Sequence, residues 1–349
     1  MRFTKIFIAV STILISSALF FLSAWGQGKW IILRDDDFGR EDGIEGDLNG
    51  VRFTDAQNGW AVGFGGLILH TTDGGKTWIK KEIQMPPPAQ SGNERRPRNR
   101  GPVDYWNLYF RDANVGFITG ARGTIFMTKN GGQTWERKQW VAEGGGRRGR
   151  SRLTATWMVN DEVGFMVGEN NTLLKTTDGG ETWKGGSERV RVGETRNNLE
   201  AICFASPTHG WIIGSFGTIL HTTDGGETWE PKGAGVDNNL MSIHFVDEKT
   251  GWISGQEGLI LHTSDGGATW TQQTTDAYDD LHDLIFVDKL TGWAVGSFGA
   301  VLHTTDGGQT WTATKTARSL DLKSVHAVDK DHCWAVGFSG IIVGLEAKQ

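Results

Sequence analysis

The stretch HTTDGGKTW, residues 70–78, decides the fold because the chain repeats it. Each copy joins a polar turn with two glycines to a closing tryptophan, and further copies end at Trp135, Trp183, Trp229, Trp270 and Trp311. A catalytic loop is needed once, whereas a phrase that recurs at a near-constant period is typical of a repeat architecture. We therefore expect these six stretches to build the fold.

A longer unit surrounds each copy, with an aromatic residue before its second apolar run. This aromatic is found at Trp60, Phe117, Phe165, Trp211, Trp252, Trp293 and Trp334, spaced 57, 48, 46, 41, 41 and 41 residues apart. Each unit divides into four short apolar runs separated by Gly or Asp turns, and such a unit of about 40 residues is typical of a propeller blade. The sequence predicts an all-β, seven-bladed β-propeller with four-stranded blades, formed as one domain by residues 27–349.

The two ends of the repeat array are predicted to close the ring. The seventh unit has three strands and lacks the outer one. The segment KWIIL, residues 29–33, lies before blade one and starts with a tryptophan in the manner of the outer strands. We expect this N-terminal strand to complete the last blade, which leaves no open edge around the ring.

The repeated phrase, Thr-x-Asp-x-Gly-x-Thr-Trp, resembles the Asp-box, also called the bacterial neuraminidase repeat. Its acidic side chain can accept hydrogen bonds from turn amides, its glycine permits positive φ, and its tryptophan can pack between sheets. The predicted structural residues are Asp73, Asn130, Asp178, Asp224, Asp265 and Asp306, with Trp78, Trp135, Trp183, Trp229, Trp270 and Trp311. Asp-boxes occur in enzymes and in non-enzymes, so they mark a fold and carry no chemistry.

The first 26 residues differ from the rest of the chain. Arg2 and Lys5 precede an almost wholly apolar run over residues 6–24, and small residues follow it. This pattern predicts a secretory signal peptide over residues 1–26, with an uncleaved membrane anchor as the alternative. We expect an exported protein of the periplasm, the thylakoid lumen or the extracellular space, tethered to a membrane if the segment is retained.

Charge, cysteines and histidines argue against several kinds of site. The net charge of −6 argues against a general nucleic-acid binder. Cys203 and Cys333 fall in blades that are not neighbours, so both thiols are predicted to be free and buried. Four histidines recur at one register in different blades and indicate a packing slot: His70, His221, His262 and His303. We expect no metal and no cofactor.

Strand order assigns the loops to two faces. Turns between strands one and two share one face with the Asp-boxes, and this face is acidic. The other face carries the turns between strands two and three and the connections between blades. The repeat lengthens only there, in insertions at 85–102, 143–152 and 185–198 that contain eleven arginines, four glutamates and no lysine. They carry +7, whereas the rest of residues 27–349 carries −15.

The insertions supply most of the candidate binding residues. These are Arg95, Arg96, Arg98, Arg100, Arg147, Arg148, Arg150 and Arg152, with Arg189, Arg191 and Arg196 in the third insertion. They are either solvated loops or a rim that binds anions or an acidic protein, since arginine pairs bidentately with carboxylates and phosphates. Short turns on the same face add Phe64, Arg122, Phe216, Phe298 and Phe338. These phenylalanines either pack between blades or form a docking surface.

The Asp-boxes make a sialidase-like enzyme the obvious catalytic alternative. That chemistry needs arginines on rigid strands and a Tyr nucleophile with a Glu partner. The chain has only three tyrosines, Tyr105, Tyr109 and Tyr278, and its arginines lie mainly in the insertions. Asp279, Asp280 and Asp283 could form a carboxylate pair for another glycosidase, although their spacing fixes no mechanism. We expect no enzyme, and a carbohydrate-active propeller is the alternative.

The recurring units of the form GWAVGxxGxILHTTDGGxTW resemble the photosystem II stability/assembly factor family over residues 30–343. The resemblance implies a seven-bladed propeller on the lumenal or periplasmic side. In phototrophs it implies a non-enzymatic chaperone that binds reaction-centre proteins through a basic surface, and Arg122 best matches the arginine of that surface. The expected protein is a monomeric scaffold with a protein partner, for which a membrane-protein complex is one candidate.

Overall fold

The computed structural model describes residues 29–34, 46–83, 102–142, 151–186, 197–316 and 318–346. Seven sheets follow one another along the chain, one for each repeat unit. The first strand of each sheet contacts the first strand of the next, and the first strand of the seventh sheet contacts that of the first. The sheets therefore form a closed ring, and the predicted seven-bladed propeller is confirmed.

Each blade is an antiparallel meander that runs from the centre of the ring outward. Blade one consists of β2 (Leu48–Phe53), β3 (Gly59–Gly63), β4 (Ile68–Thr71) and β5 (Ile79–Lys80). Blade two consists of β6 (Tyr105–Phe110), β7 (Gly116–Gly120), β8 (Thr124–Thr128) and β9 (Glu136–Lys138). Blade three consists of β11 (Leu153–Met158), β12 (Gly164–Gly168), β13 (Thr172–Thr176) and β14 (Trp183–Gly186), with β10 (Trp140–Ala142) at its outer edge.

The remaining blades repeat the same order, and the last of them includes the first strand of the chain. Blade four consists of β15 (Leu199–Phe204), β16 (Gly210–Gly214), β17 (Ile219–Thr222) and β18 (Glu230–Lys232), and blade five of β19 (Leu240–Phe245), β20 (Gly251–Gly255), β21 (Ile260–Thr263) and β22 (Thr271–Gln272). Blade six consists of β23 (Leu281–Phe286), β24 (Gly292–Gly296), β25 (Ala300–Thr304) and β26 (Thr312–Lys315). Blade seven consists of β27 (Leu322–Asp329), β28 (His332–Gly337), β29 (Ile342–Leu345) and β1 (Trp30–Arg34).

Ring closure occurs where the sequence places it. β1 pairs antiparallel with β29, with Trp30 opposite Leu345 and Ile32 opposite Val343. The amide of Glu346 also donates to the carbonyl of Lys29 at 2.7 Å. The prediction that an N-terminal strand completes blade seven is therefore confirmed.

Blade three departs from the expected four strands. The short strand β10 pairs in parallel with the outer strand β14, and Trp140 lies opposite Trp183. Trp140 is buried in the same cluster as Trp183 and Phe117. The fifth strand forms because this tryptophan, which has no equivalent in the other units, gains a buried position beyond the outer strand.

In blades one to six the second strand is buried over its whole length and is bounded by glycines. At the end of β3, a Cβ on Gly63 would lie 1.9 Å from the carbonyl oxygen of Asp47 in the segment before β2. Only glycine allows this close approach of two backbones. The repeated Gly-aromatic-x-x-Gly signature therefore reflects tight pairing within the blade.

Several neighbouring blades are joined by clusters of three aromatic rings. Trp334 of blade seven stacks on Phe53 of blade one with ring centroids 3.5 Å apart, and the Asp-box Trp78 meets Phe53 edge-on at 5.8 Å. The same arrangement recurs in Trp211–Phe245–Trp270 and in Trp252–Phe286–Trp311. Each Asp-box tryptophan thus packs at the boundary with the preceding blade, as the sequence predicts.

The Asp-box turns are held together by their own side chains. In blade one, Asp73 accepts hydrogen bonds from the Thr71 hydroxyl at 2.8 Å and from the Thr77 amide at 2.9 Å. The turn also contacts the preceding blade, because the Trp334 indole donates to the carbonyl of Gly74 at 3.0 Å. In blade two, Asn130 accepts from the Thr134 amide in the same way. The box is therefore both a hairpin clamp and a blade-to-blade contact.

The repeated histidines and the two cysteines are part of the packing. His70 stacks on Trp60 with centroids 3.9 Å apart. His221 and His303 stack on the tryptophans at the same position of their own blades, and His262 contacts its tryptophan with tilted rings. Both cysteines are free and buried, as expected. In the described residues no helix is long and apolar enough to span a bilayer, and the predicted signal peptide lies outside those residues.

We predict that Phe53→Ala lowers the free energy of unfolding by about 3–5 kcal/mol, because it removes the central ring of the cluster that joins blades seven and one. Chemical denaturation of the purified chain measures the change. Val328→Ala, at an exposed position of β27, is the control and should cost less than about 0.5 kcal/mol. Equal midpoints for Phe53→Ala and wild type would contradict a stabilising role for the ring cluster.

Candidate functional site

The first strands of all seven blades surround a central channel with a volume of about 760 Å³. Their second residues form a mouth ring: Asn49, Trp106, Thr154, Glu200, Met241, His282 and Lys323. Their fifth residues form a lower ring: Arg52, Tyr109, Trp157, Cys203, His244, Ile285 and His326. The mouth opens on the face with the turns between second and third strands, because Phe64 and Phe338 of those turns also line the channel. We call this the turn face, and the opposite one the box face.

Many polar side chains of the channel satisfy the backbone of the neighbouring blade. The innermost strand has no further strand on its channel edge, so its exposed amides and carbonyls need other partners. At the mouth, Asn49 donates to the carbonyl of Tyr105 at 2.8 Å and Thr154 donates to that of Leu199 at 2.6 Å. In the lower ring, Tyr109 accepts from the Met158 amide at 3.3 Å. Each of these bonds runs from one blade to the next.

Two channel histidines belong to the same system. The Phe53 amide donates to Nδ1 of His326 at 3.3 Å, which joins blades one and seven. Burial and the charge of Arg52 lower the pKa of His326 well below its usual value of 6.5, and they lower that of His244 to about 4. Both imidazoles are therefore neutral near pH 7.

The carboxylates of the proposed glycosidase pair are engaged in structural hydrogen bonds. Asp283 lies in the channel wall and accepts from the hydroxyls of Ser242 and Ser324, at 2.7 and 3.0 Å, and from the Val325 amide. Asp280 precedes its strand and accepts from the Glu257 amide at 3.1 Å. The three tyrosines of the chain also lie in different environments. Tyr105 is buried, Tyr109 faces the lower channel, and Tyr278 is exposed.

The tips of two turns hold exposed phenylalanines in an unfavourable backbone conformation. Phe216 and Phe298 have φ of 56° and 54°, and their side chains are 71 % and 56 % exposed. A bulky side chain rarely occupies the left-handed region, where it costs on the order of 1–2 kcal/mol. Since these rings are exposed, packing between blades does not account for them. Arg122 occupies the same turn position, with φ of 60°.

Phe64 and Phe338 lie instead at the channel mouth, beside two cations. The guanidinium of Arg152 stacks on Trp106 at 4.1 Å, and Phe64 meets the same indole edge-on at 5.2 Å. Within blade seven, the ammonium of Lys323 lies above the ring of Phe338, 4.4 Å from the ring centroid. Such cation–aromatic pairs present both positive charge and apolar surface to a ligand.

The side chains around these cations fix their positions. Arg152 forms an ion pair with Glu169 at 3.4 Å. Lys323 donates to Nε2 of His282 at 2.9 Å and pairs with Asp321 at 3.3 Å. Burial and the adjacent Lys323 lower the pKa of His282 to about 4, so it accepts this hydrogen bond as a neutral imidazole.

The structure thus divides the residues predicted from the sequence into three groups. Phe64, Phe338 and Arg152 come together at the mouth, whereas Arg122, Phe216 and Phe298 project from separate turns of the same face. The other arginines of the insertions, Arg95, Arg96, Arg98, Arg100, Arg147, Arg148, Arg150, Arg189, Arg191 and Arg196, lie outside the described residues. In the described part of the chain, no group of three His, Cys, Asp or Glu side chains could hold a metal ion.

Sequence reasoning missed Trp106, Lys323, His282 and Arg52, and it named Arg152 only as one arginine of an insertion, although the repeats carry a more specific signal for Arg152. Before the first strand, six blades carry an Asp or Asn that accepts from the turn of the preceding blade: Asp47, Asp104, Asn198, Asn239, Asp280 and Asp321. Blade three carries Arg152 at this position. A comparison of the repeats position by position would have singled out Arg152 as a residue that the fold does not require.

Comparisons with known proteins agree with this architecture. The family model described as photosynthesis system II assembly factor YCF48 matches residues 102–194 and 186–278. The photosystem II assembly protein Ycf48 of Synechococcus sp. (strain JA-3-3Ab) is 34% identical over 66 residues, which are 19% of this chain and 16% of that protein. The match thus spans about one sixth of that relative.

Solved structures of similar fold cover nearly the whole chain. The structure described as YCF48 bound to D1 peptide has a TM-score of 0.68 at 19% identity and covers 93% of this chain and 98% of its own. YCF48 from Cyanidioschyzon merolae has a TM-score of 0.70 at 18% identity, with 91% and 98% covered. The WD40 propeller domain of Doa1 has a TM-score of 0.64 at 10% identity, with 92% and 98% covered. At these identities the likeness concerns the fold alone.

We predict that Phe298→Gly raises the free energy of unfolding by up to about 1 kcal/mol, because glycine relieves the left-handed strain at φ 54°. Phe338→Gly is the matched control: in that turn Ser339 holds the left-handed position, so removal of Phe338 should destabilise the chain. Thermal and chemical unfolding measure both changes. A loss of stability in Phe298→Gly as large as that in Phe338→Gly would show that the exposed ring has a packing role.

We also predict that His326→Asn makes stability less sensitive to acid. The folded pKa of His326 lies well below 6.5, so the unfolded chain takes up the proton first, and stability falls as the pH drops below about 6.5. The asparagine oxygen can still accept from Phe53 but does not titrate in this range. The Asp-boxes respond at lower pH, as it falls from the ordinary Asp pKa of 3.8, since hydrogen bonds from Thr269 and Thr263 lower the pKa of Asp265 to about 2. Identical pH–stability curves for the two proteins would contradict the assignment.

Proposed function

The chain belongs to the photosynthesis system II assembly factor YCF48 family, and we propose that it is a non-enzymatic scaffold that binds a segment of a protein complex on its turn face. In a phototrophic host that complex is photosystem II. The observation that carries the proposal is the collection of aromatic and cationic groups on this one face. It includes two cation–aromatic pairs at the mouth and two exposed, strained phenylalanines at turn tips.

Strain and exposure together favour a binding role for the turn tips. An exposed phenylalanine is disfavoured by water and, at φ near 55°, by its own backbone, so nothing in the described part of the chain favours Phe216 or Phe298. Buried against a partner, such aromatic side chains are the residues that hold a complex together. The cations Arg152 and Lys323 add a preference for a partner segment with acidic or carbonyl-rich character.

The Arg-rich insertions extend the proposed surface. The carbonyl of Ser151, at the end of the second insertion, accepts from the amide of Gly123 in a turn of the turn face. The carbonyl of Asn197, at the end of the third, accepts in the same way from Asn171. Both insertions therefore end beside the turns. The three insertions together carry +7 on an otherwise acidic chain, which supports electrostatic steering of a negatively charged partner.

A peptide is the kind of ligand that the relatives suggest. A propeller of this family has been solved with a D1 peptide bound, and we propose that the present chain likewise takes an extended segment of a larger protein. The absence of enzymatic activity is part of the proposal: the carboxylates considered for a glycosidase, Asp280 and Asp283, are engaged in hydrogen bonds that hold neighbouring blades together. With the predicted signal peptide, we place this role outside the cytoplasm.

The test compares one surface with the other. Phe216→Ser combined with Phe298→Ser should weaken the binding of detergent-solubilised membrane complexes from the host by at least about tenfold, mainly through faster dissociation. Leu290→Ser is the matched control, because it removes an exposed apolar side chain of the box face, 56 % exposed. Binding kinetics on immobilised chain give both rates. Loss of binding in Leu290→Ser with full binding in the double variant would assign the partner to the box face.

A further inference from the structure

The lower ring of the channel contains a cation, Arg52, for which the described residues provide no counterion. Arg52 lines the channel and donates through Nη1 to its own neighbouring carbonyl, that of Val51, at 2.9 Å. Among the described residues, no carboxylate forms an ion pair with its guanidinium. A guanidinium inside a cavity is costly unless its charge and its N–H groups are satisfied. Arg52 therefore leaves both a charge and donors available to a ligand.

The field of Arg52 reaches groups from three other blades. Besides burial, its charge lowers the pKa of His244 of blade five and of His326 of blade seven. In Tyr109 of blade two, burial raises the pKa of the hydroxyl and the charge of Arg52 opposes this increase. The guanidinium thus faces across the channel, and with both imidazoles neutral it supplies the positive charge of the lower ring.

The remaining polar groups nearby offer donors and no free acceptors of comparable strength. Nδ1 of His326 accepts from the Phe53 amide, so the proton of the neutral ring is on Nε2. The Tyr109 oxygen accepts from the Met158 amide, so its own proton remains available. The nearest ring above contains Asp283, whose two oxygens are already occupied by hydroxyls and amides of blades five to seven.

The walls beside these donors are apolar. Trp157 and Ile285 line the channel in the same ring, and the channel volume of about 760 Å³ lies within the range of small-molecule sites. An inorganic ion would use the donors and leave the indole unused. A planar carboxylate on an apolar body would pair with the fork of the guanidinium and cover Trp157 and Ile285.

We propose that the lower channel is a binding site for a small organic carboxylate, held by Arg52 with the Tyr109 hydroxyl and the His326 imidazole and covered by Trp157. The site lies beneath the mouth ring in the same channel, and its residues differ from those assigned to the protein-binding surface on the turn face. It is formed by first strands of different blades, so a bound ligand would also tie those strands together. The chain should therefore be more stable when its ligand is present.

Benzoate and benzamide are the matched probes, because they share an aromatic body and differ in the carboxylate. We expect saturable benzoate binding by calorimetry, a chemical-shift change at the Trp157 indole N–H, and at least tenfold weaker binding of benzamide. Arg52→Met should weaken benzoate binding at least tenfold, since a charge-assisted bidentate pair is lost. Arg137→Met, which removes an exposed arginine of the outer strand β9 outside the channel, should leave it unchanged.

Three results would overturn the proposal. The first is equal binding of benzoate and benzamide, and the second is equal benzoate affinity in Arg52→Met and wild type. The third is tighter binding of inorganic phosphate than of benzoate, which would exclude the carboxylate class. If Arg52→Met does not fold, the indole shift of Trp157 in the wild-type chain still decides, because its absence at saturating benzoate places the ligand elsewhere.

Discussion

The propeller depends on the packing of each blade against the next, which at four boundaries between described strands is the stacking of an aromatic ring of one blade on that of its neighbour. A four-stranded sheet cannot bury both of its faces alone, so each blade is stable only between two neighbours. The stack of Trp334 on Phe53 shows the consequence most clearly, because it joins the last blade to the first. The Asp-box then clamps the turn that carries Trp78 against this pair. Ring closure, hairpin turns and core packing are therefore one cooperative system.

At the centre of the ring, neighbouring blades are held together by polar contacts. The innermost strands expose backbone groups to the channel, and side chains of adjacent blades satisfy them, as His326 does for Phe53. This explains why a channel with so many polar residues does not resemble a catalytic site. Arg52 in the lower ring and the cation–aromatic pairs at the mouth do not satisfy backbone groups of a neighbouring blade, and we assign these residues to ligand binding.

The sequence was sufficient for features that repeat and insufficient for features that occur once. The period of the repeat predicted the blades, the turn residues predicted the Asp-boxes, and the missing outer strand of unit seven predicted the pairing of β1 with β29. These predictions succeeded because every unit has to form the same four-stranded sheet. The fifth strand of blade three was not foreseen, since Trp140 has no counterpart from which its position could be read. The stack of Arg152 on Trp106 joins two blades, and residue types at those positions vary between repeats, so no pattern brought them together.

The central claim is that the partner engages the turn face of a rigid ring, and hydrogen–deuterium exchange with the partner bound tests it most directly. The account predicts slower exchange in the turns Phe64–Gly66, Ser297–Gly299 and Phe338–Gly340 and in the strand ends at the channel mouth. The Asp-box turns, such as residues 73–78 and 224–229, should exchange as they do in the free chain. Protection confined to the Asp-box turns, with unchanged exchange at the mouth, would contradict it.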